Sequence, residues 1–137
     1  MELDPSAFVA DPELIQALGK RSTTIQCGGD RVLFRQGDAP AGVYIINKGE
    51  ATVSMDSPEG DAVLSIQAAA GSLLGLPGLI GNKPYTLTAV ACKDAEVGFV
   101  NREDFASLMQ TEPLLSLKIL QVLAAEVRSA RRAISNL

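Results

Sequence analysis

The chain has 137 residues, a formal net charge of −4 and no histidine, and 47% of its residues are hydrophobic. This is the composition of an ordinary globular protein, and the length is enough for one domain with its own core. A negative net charge is unfavourable for binding the negatively charged phosphate backbone of a nucleic acid. The absence of histidine removes the Ser-His and Cys-His nucleophile systems and the usual zinc and iron sites. We therefore expect one domain over residues 1–137 that is not an enzyme, holds no metal and carries no nucleic-acid-binding element.

The apolar stretches of the sequence, such as 43–46 and 122–125, are far shorter than the roughly 20 residues that a membrane-spanning helix needs. The N-terminus, Met-Glu-Leu-Asp-Pro, carries acidic residues where a signal peptide needs basic ones. Cys27 and Cys92 stand outside any Cys-x-x-Cys pair, so both are expected to be reduced thiols. The sequence thus predicts a cytoplasmic protein without a membrane partner.

A short helix followed by many short strands is predicted for the first hundred residues. Asp11 can cap a helix over 12–19, because aspartate accepts from free N–H groups and Pro12 suits the first helical position. Between residues 22 and 100, turn glycines separate the β-prone runs 23–27, 32–34, 43–47, 51–55, 63–68, 86–92 and 97–100. Short strands at this spacing indicate a β sandwich, jelly roll or barrel.

Two helices are predicted at the C-terminal end. Asn101 and the acidic residues after it form a helix start, which predicts a helix over about 102–110. Pro113 suits the first position of a second helix, over about 113–136. Apolar residues in that helix recur at spacings of 3, 4, 3, 4 and 3, which is a heptad pattern. They are Leu120, Leu123, Val127, Ala130, Ile134 and Leu137.

This heptad seam predicts a homodimer that forms through the last helix. Further apolar positions lie beside the seam, so the helix has two faces to bury: Leu115, Ile119, Val122 and Ala125. One face can cover the strands, and the other can pair with a second copy about a two-fold axis. A helix that packs only on the core of its own domain would show the same stripe, and that alternative stays open.

Two glycine-containing hairpins carry a resemblance to a known family. The segments 32–38 and 43–53 resemble the strand-turn signatures of cyclic-nucleotide-binding domains, with Gly37 and Gly49 at the turns. The chain is similar in particular to bacterial regulators of the catabolite-activator and fumarate-nitrate-regulator (Crp/Fnr) type. This resemblance implies a mainly β fold with flanking helices. Its centre would be a double-stranded β-helix, or jelly roll, over about 22–100, and a long C-terminal dimerisation helix would follow.

The resemblance places the family's phosphate-binding cassette at about 71–89. In such domains a glycine-rich turn and short helix offer N–H groups to the phosphate, an arginine pairs with it, and a glutamate binds the ribose. Here Ser72 stands at the glutamate position and Tyr85 at the arginine position, with Lys83 and Arg131 as substitute charges. The implied ligand-binding residues are Gly71, Ser72, Leu73, Leu74, Gly75, Lys83, Tyr85, Thr86 and Arg131.

Loss of both charged contacts argues against cyclic AMP binding, because each such hydrogen bond contributes about 1.5–3 kcal/mol. No ligand, another small anionic ligand, or a cyclic nucleotide held by other groups all stay open. The leading hypothesis is the ligand-sensing and dimerisation effector domain of a Crp/Fnr-type transcriptional regulator, which would meet DNA only through a further domain. The alternative is a free-standing protein-interaction module with a vestigial pocket.

Overall fold

The computed structural model describes residues 4–57, 59 and 61–135. Its strands are β1 (Thr23–Gln26), β2 (Arg31–Phe34), β3 (Gly42–Lys48), β4 (Glu50–Asp56), β5 (Ala62–Ala69), β6 (Leu73–Leu74), β7 (Thr88–Ala91) and β8 (Glu96–Asn101). Its α-helices are α1 (Pro12–Gly19), α2 (Leu76–Gly81), α3 (Arg102–Thr111) and α4 (Pro113–Ser135), and a 3₁₀ turn spans Pro5–Phe8. In the part of the chain described, no helix is long and apolar enough to cross a bilayer.

The strands form two antiparallel four-stranded sheets, in the orders β1-β8-β3-β6 and β2-β7-β4-β5. Chain neighbours such as β1 and β2 lie in different sheets, so the strands cross between the layers as in a jelly roll. We call the two sheets together the β-roll. The jelly roll and the long C-terminal helix that the resemblance implies are both confirmed.

Strand β3 divides the hydrophobic core into two parts. Val43 and Ile45 are fully buried against the helices α1, α2, α3 and α4, whereas Ile46 is fully buried between the sheets. This division follows from the two-residue period of a strand, which sends successive side chains to opposite faces. The β-roll therefore has an interior cluster and a second cluster that is roofed by helices.

Helix starts follow the predicted capping chemistry. The Asp11 carboxylate accepts from the N–H of Glu13 at 2.9 Å, and the Asn101 side-chain oxygen accepts from the N–H of Asp104 at 2.8 Å. Each bond satisfies an N–H group that has no partner within the helix. Residue patterns alone gave no bounds for the 3₁₀ turn, β6 or α2, because these elements are too short to show a period.

Helix α4 has one buried face and one largely exposed face. Core-facing positions recur at 115, 119, 122, 126, 129 and 133 and are all buried. In the predicted seam, Leu120 is 46% exposed, while Leu123, Val127 and Ala130 are half-buried beside the core-facing stripe. The Ile134 side chain and Leu137 lie outside the described residues.

Among the described glycines, Gly42 has the least room for a side chain, and this predicts an effect on stability. A β-carbon there would collide with the carbonyl oxygen of Val100 and the ring of Phe99. We expect Gly42→Ala to lower the free energy of unfolding by about 1–3 kcal/mol, as overpacking does. Gly19→Ala is the control, because Gly19 ends α1 with open space around it. Urea denaturation should show little loss or a small gain for the control; equal losses would contradict the prediction.

Candidate functional site

The cassette segment begins in two glycine turns around β6. Gly71 and Gly75 have φ values of +92° and +90°, a backbone conformation that favours glycine. Leu73 and Leu74 lie between them, are buried and pair with β3. The turn at Gly75 leads directly into α2, so the glycine-framed short helix that the family cassette implies is present.

The Tyr85 hydroxyl is fully engaged with the start of β3. It donates to the carbonyl oxygen of Gly42 at 2.7 Å, and it accepts from the N–H groups of Ala41 at 3.1 Å and Gly42 at 3.3 Å. The backbone is held as well: the Gly37 N–H donates to the Tyr85 carbonyl at 2.8 Å, and the Tyr85 N–H donates to the Asp38 carbonyl at 2.9 Å. Through its backbone and its hydroxyl, Tyr85 thus fixes the end of the cassette to residues 37–38 and to residues 41–42.

The Tyr85 ring fills the space beside the glycines of the cassette. It stacks on Phe34 with the ring centroids 4.1 Å apart. A β-carbon on Gly75 or Gly78 would lie 3.1 Å from a carbon of this ring, so glycine at both positions lets the ring in. The remaining inner cavity measures about 10 Å³, which is barely enough for one water molecule.

Of the other predicted cassette residues, Ser72 and Lys83 do not line this inner cavity, whereas Thr86 does. Ser72 is fully buried, forms an antiparallel bridge with Val9, and its hydroxyl has no hydrogen-bond partner in the described structure. The Lys83 side chain is exposed and lines neither the inner cavity nor the one beside it. Thr86 is exposed and borders both cavities.

A larger cavity of about 220 Å³, which we call the outer cavity, lies between the β-roll and α4. Phe8, Pro77, Thr86, Leu87 and Glu126 border both cavities, which therefore adjoin. The remaining walls of the outer cavity are Met55, Val127, Ala130 and Arg131. The structure thus places Arg131 and the middle of the predicted seam beside the cassette.

Glu126 is the unusual group of the outer cavity. Its residue is 4% exposed, and its Oε1 atom has no hydrogen-bond partner among the described residues. Burial raises the pKa of the Glu126 carboxyl well above its ordinary value, because the charged form loses its hydration there. The carboxyl group is thereby biased toward its neutral, protonated form.

Sequence reasoning missed Glu126 and Phe8. A signal for Glu126 was present, since position 126 continues the spacing of Leu115, Ile119 and Val122 and so places a charge in an apolar stripe. Phe8 had no comparable signal. It reaches the cavity through the 3₁₀ turn, which the Asp4 N–H ties to the Ser129 hydroxyl of α4 at 2.8 Å.

Two antiparallel sheets, a glycine-framed cassette and a long helix beside it make up this β-roll architecture. The family description "cyclic nucleotide-binding domain" matches residues 26–112. This is well over half of the chain, and the chain belongs to that family. The family prediction made from the glycine hairpins is therefore confirmed.

Solved structures with the same fold include regulators of transcription. The catabolite activator protein of Thermus thermophilus superposes with a TM-score of 0.78 at 22% identity, over 96% of this chain and 62% of that protein. The sensor domain of the transcriptional regulator DNR from Pseudomonas aeruginosa gives 0.67 at 20% identity, over 93% and 83%. The N-terminal domain of a Streptomyces coelicolor transcriptional regulator gives 0.66 at 20% identity, over 98% and 93%.

A relative of another kind is the lysophospholipase nte1 of Neurospora crassa, which is 25% identical over 118 residues. The match covers 86% of this chain and 8% of that protein. The chain therefore spans a small part of the length of this curated relative, and the likeness concerns one segment of it.

The buried carboxyl of Glu126 predicts a specific pH dependence of stability. A carboxyl whose pKa is higher in the folded than in the unfolded chain binds more protons when folded, so its contribution falls as pH rises. We expect the difference in unfolding free energy, wild type minus Glu126→Gln, to fall as pH rises from about 4.5 through the raised pKa. The slope is at most about 1.4 kcal/mol per pH unit.

Urea denaturation at a series of pH values measures this difference. The pKa values of Asp4 and Asp11 are lowered by hydrogen bonds, so both act with the opposite sign, but they are common to the two proteins and cancel. A difference that stays flat or rises with pH would contradict the burial of an ionisable Glu126.

Proposed function

We propose that the chain is the ligand-sensing and dimerising effector domain of a Crp/Fnr-type transcriptional regulator, with a cassette that does not hold cyclic AMP. The family and the shared fold with the catabolite activator protein and the DNR sensor domain support the regulatory role. The protein would act in the cytoplasm without catalysis, and any contact with DNA would run through a further domain.

The occupation of the cassette by Tyr85 carries the nucleotide part of this proposal. The ring and hydroxyl of Tyr85 leave an inner cavity of about 10 Å³ where the family pattern has an arginine and a phosphate. Moving Tyr85 aside would break its hydrogen bonds to Ala41 and Gly42 and its stacking on Phe34. Lys83 offers no replacement charge inside the cassette, since its side chain is exposed.

The proposed dimer uses a mostly exposed side of α4. Leu117 and Leu120 are 58% and 46% exposed, and Ala124 and half-buried Val127 follow them at spacings of 4 and 3. These four residues, which we call the outer strip, repeat at heptad spacing and suit a second copy of the same helix. The outer strip shares Leu120 and Val127 with the seam predicted from the sequence.

Signalling would follow from the position of α4 between ligand and partner. Val127 belongs to the outer strip and also borders the outer cavity. A ligand that binds one arrangement of α4 better than another would shift the population of paired states, as differential affinity requires. A regulatory domain attached beyond α4 would then change its orientation.

A protein-interaction module with a vestigial pocket is the second candidate. The closed inner cavity and the 76% exposure of Leu114, next to the outer strip, favour it. The outer cavity favours sensing, because a vestigial pocket has no need of space beside a buried carboxyl whose Oε1 atom has no hydrogen-bond partner among the described residues. Ligand binding therefore separates the two functions.

Cyclic AMP should not stabilise the protein. At roughly 1 mM, a ligand with a micromolar dissociation constant adds about 4 kcal/mol of stability, which raises Tm by several degrees. We expect a shift below about 1 °C in a thermal unfolding scan, because Tyr85 blocks the cassette. The variant Tyr85→Arg, which carries the family's residue at this position, is scanned with and without cyclic AMP for comparison. A rise of several degrees in the wild-type protein would refute the blocked-cassette proposal.

Charge on the outer strip should dissociate the dimer. Leu120→Glu places a carboxylate in the proposed helix pair, where it would be buried without a partner. We expect sedimentation at tens of micromolar to show a dimer for wild type and a monomer for Leu120→Glu. Gln121→Glu adds the same charge to a neighbouring exposed position outside the strip and should stay dimeric. A monomeric wild-type protein would rule out the proposed pairing.

A further inference from the structure

The outer cavity has a size and lining that suit a compact apolar molecule. Its volume of about 220 Å³ equals the liquid volume of roughly seven water molecules and lies below the range of drug-sized sites. Phe8, Met55, Leu87 and Val127 supply apolar walls. Thr86 and Arg131 are exposed, so the cavity reaches the surface and a ligand can enter.

The carboxyl group of Glu126 is the buried polar group of the cavity, whereas the polar side chains of Thr86 and Arg131 line its exposed side. Its Oε1 atom is buried without a hydrogen-bond partner among the described residues. Leaving such an acceptor unsatisfied costs about 1–3 kcal/mol. A ligand that brings a hydrogen-bond donor to the Glu126 carboxyl would recover that cost.

We propose that the outer cavity binds a compact, apolar, uncharged ligand with one N–H or O–H group, which donates to the Glu126 carboxyl. This inference rests on the proposed sensing function and assigns it a ligand class different from a cyclic nucleotide. The Glu126 oxygen selects the donor, and the apolar walls supply most of the affinity.

The position of the site on α4 connects the ligand to the proposed dimer. Glu126 lies on the core-facing side of the helix, and the next residue, Val127, lies in the outer strip. Ala130, one turn further on, also borders the cavity. A molecule seated here touches the helix at consecutive turns, so its binding bears directly on how α4 is held against the β-roll.

Two probes test the selection of a donor. Indole and indene share a bicyclic frame and differ in carrying an N–H or a CH₂ at the same ring position. We expect both to bind wild type in an amide-resolved NMR titration, with indole tighter by roughly three- to tenfold, as one hydrogen bond predicts. Shifts should centre on the amides of Phe8, Leu87 and Val127.

Two variants at the same position serve as controls. Glu126→Gln keeps a carbonyl acceptor and should keep the preference for indole. Glu126→Leu removes the acceptor and should bind the two probes equally. It should also unfold at the same or a higher temperature than wild type, because it removes an unsatisfied buried group, so a lost preference would not reflect unfolding.

Each other outcome overturns the inference. Equal affinity of wild type for indole and indene would mean that Glu126 selects no donor. Failure of both probes to bind would mean that the cavity is not a site for this class of ligand. Failure of the proposed function looks different: cyclic AMP would then raise Tm and displace indole, or the wild-type protein would sediment as a monomer while the indole preference persisted.

Discussion

The hydrogen bonds between the Tyr85 hydroxyl and the backbone of residues 41 and 42 constrain much of this structure. Through them the end of the cassette is fixed to the first residue of β3, the strand that separates the two halves of the core. The aromatic ring then requires a flat, side-chain-free neighbour, which Gly75 and Gly78 provide. A hydroxyl that satisfies one acceptor and two donors at once is costly to displace, because the N–H and carbonyl groups of Gly42 would be left unpaired in a buried place. In this chain, the position at which the family pattern has a phosphate-binding arginine stabilises the fold.

The closed cassette and the outer cavity are parts of one arrangement. Since Tyr85 fills the inner space, the volume open to a ligand lies nearer α4, which supplies four residues of the cavity wall: Glu126, Val127, Ala130 and Arg131. Glu126 thus replaces the cassette as the polar determinant of the pocket. The change is also one of charge preference, from a site that attracts phosphate to one whose polar group accepts from a neutral donor.

Much of the fold was predictable because its signals are local. Turn glycines, the Asp11 and Asn101 caps and the apolar spacing of the last helix each act within a few residues, and they placed most strands and helices to within a residue or two. The cavity was not predictable in the same way. Its walls come from segments as distant in sequence as Phe8, Met55 and Arg131, and β6 and α2 are too short to show a period of their own. The face of α4 that meets solvent likewise depends on how the helix rests on the β-roll.

The order of strands in the first sheet has a consequence for how the chain reaches its folded state. Strand β8 lies between β1 and β3 and is the last strand to be synthesised, while β1 pairs with β8 and with no other described strand. Strand β1 therefore stays without its partner strand until the chain through β8 has been synthesised. Closing such a long loop costs entropy before β1 and β8 can pair, and this cost slows folding. During that interval the helices that cover the β-roll are incomplete, since α3 and α4 follow β8 in the chain.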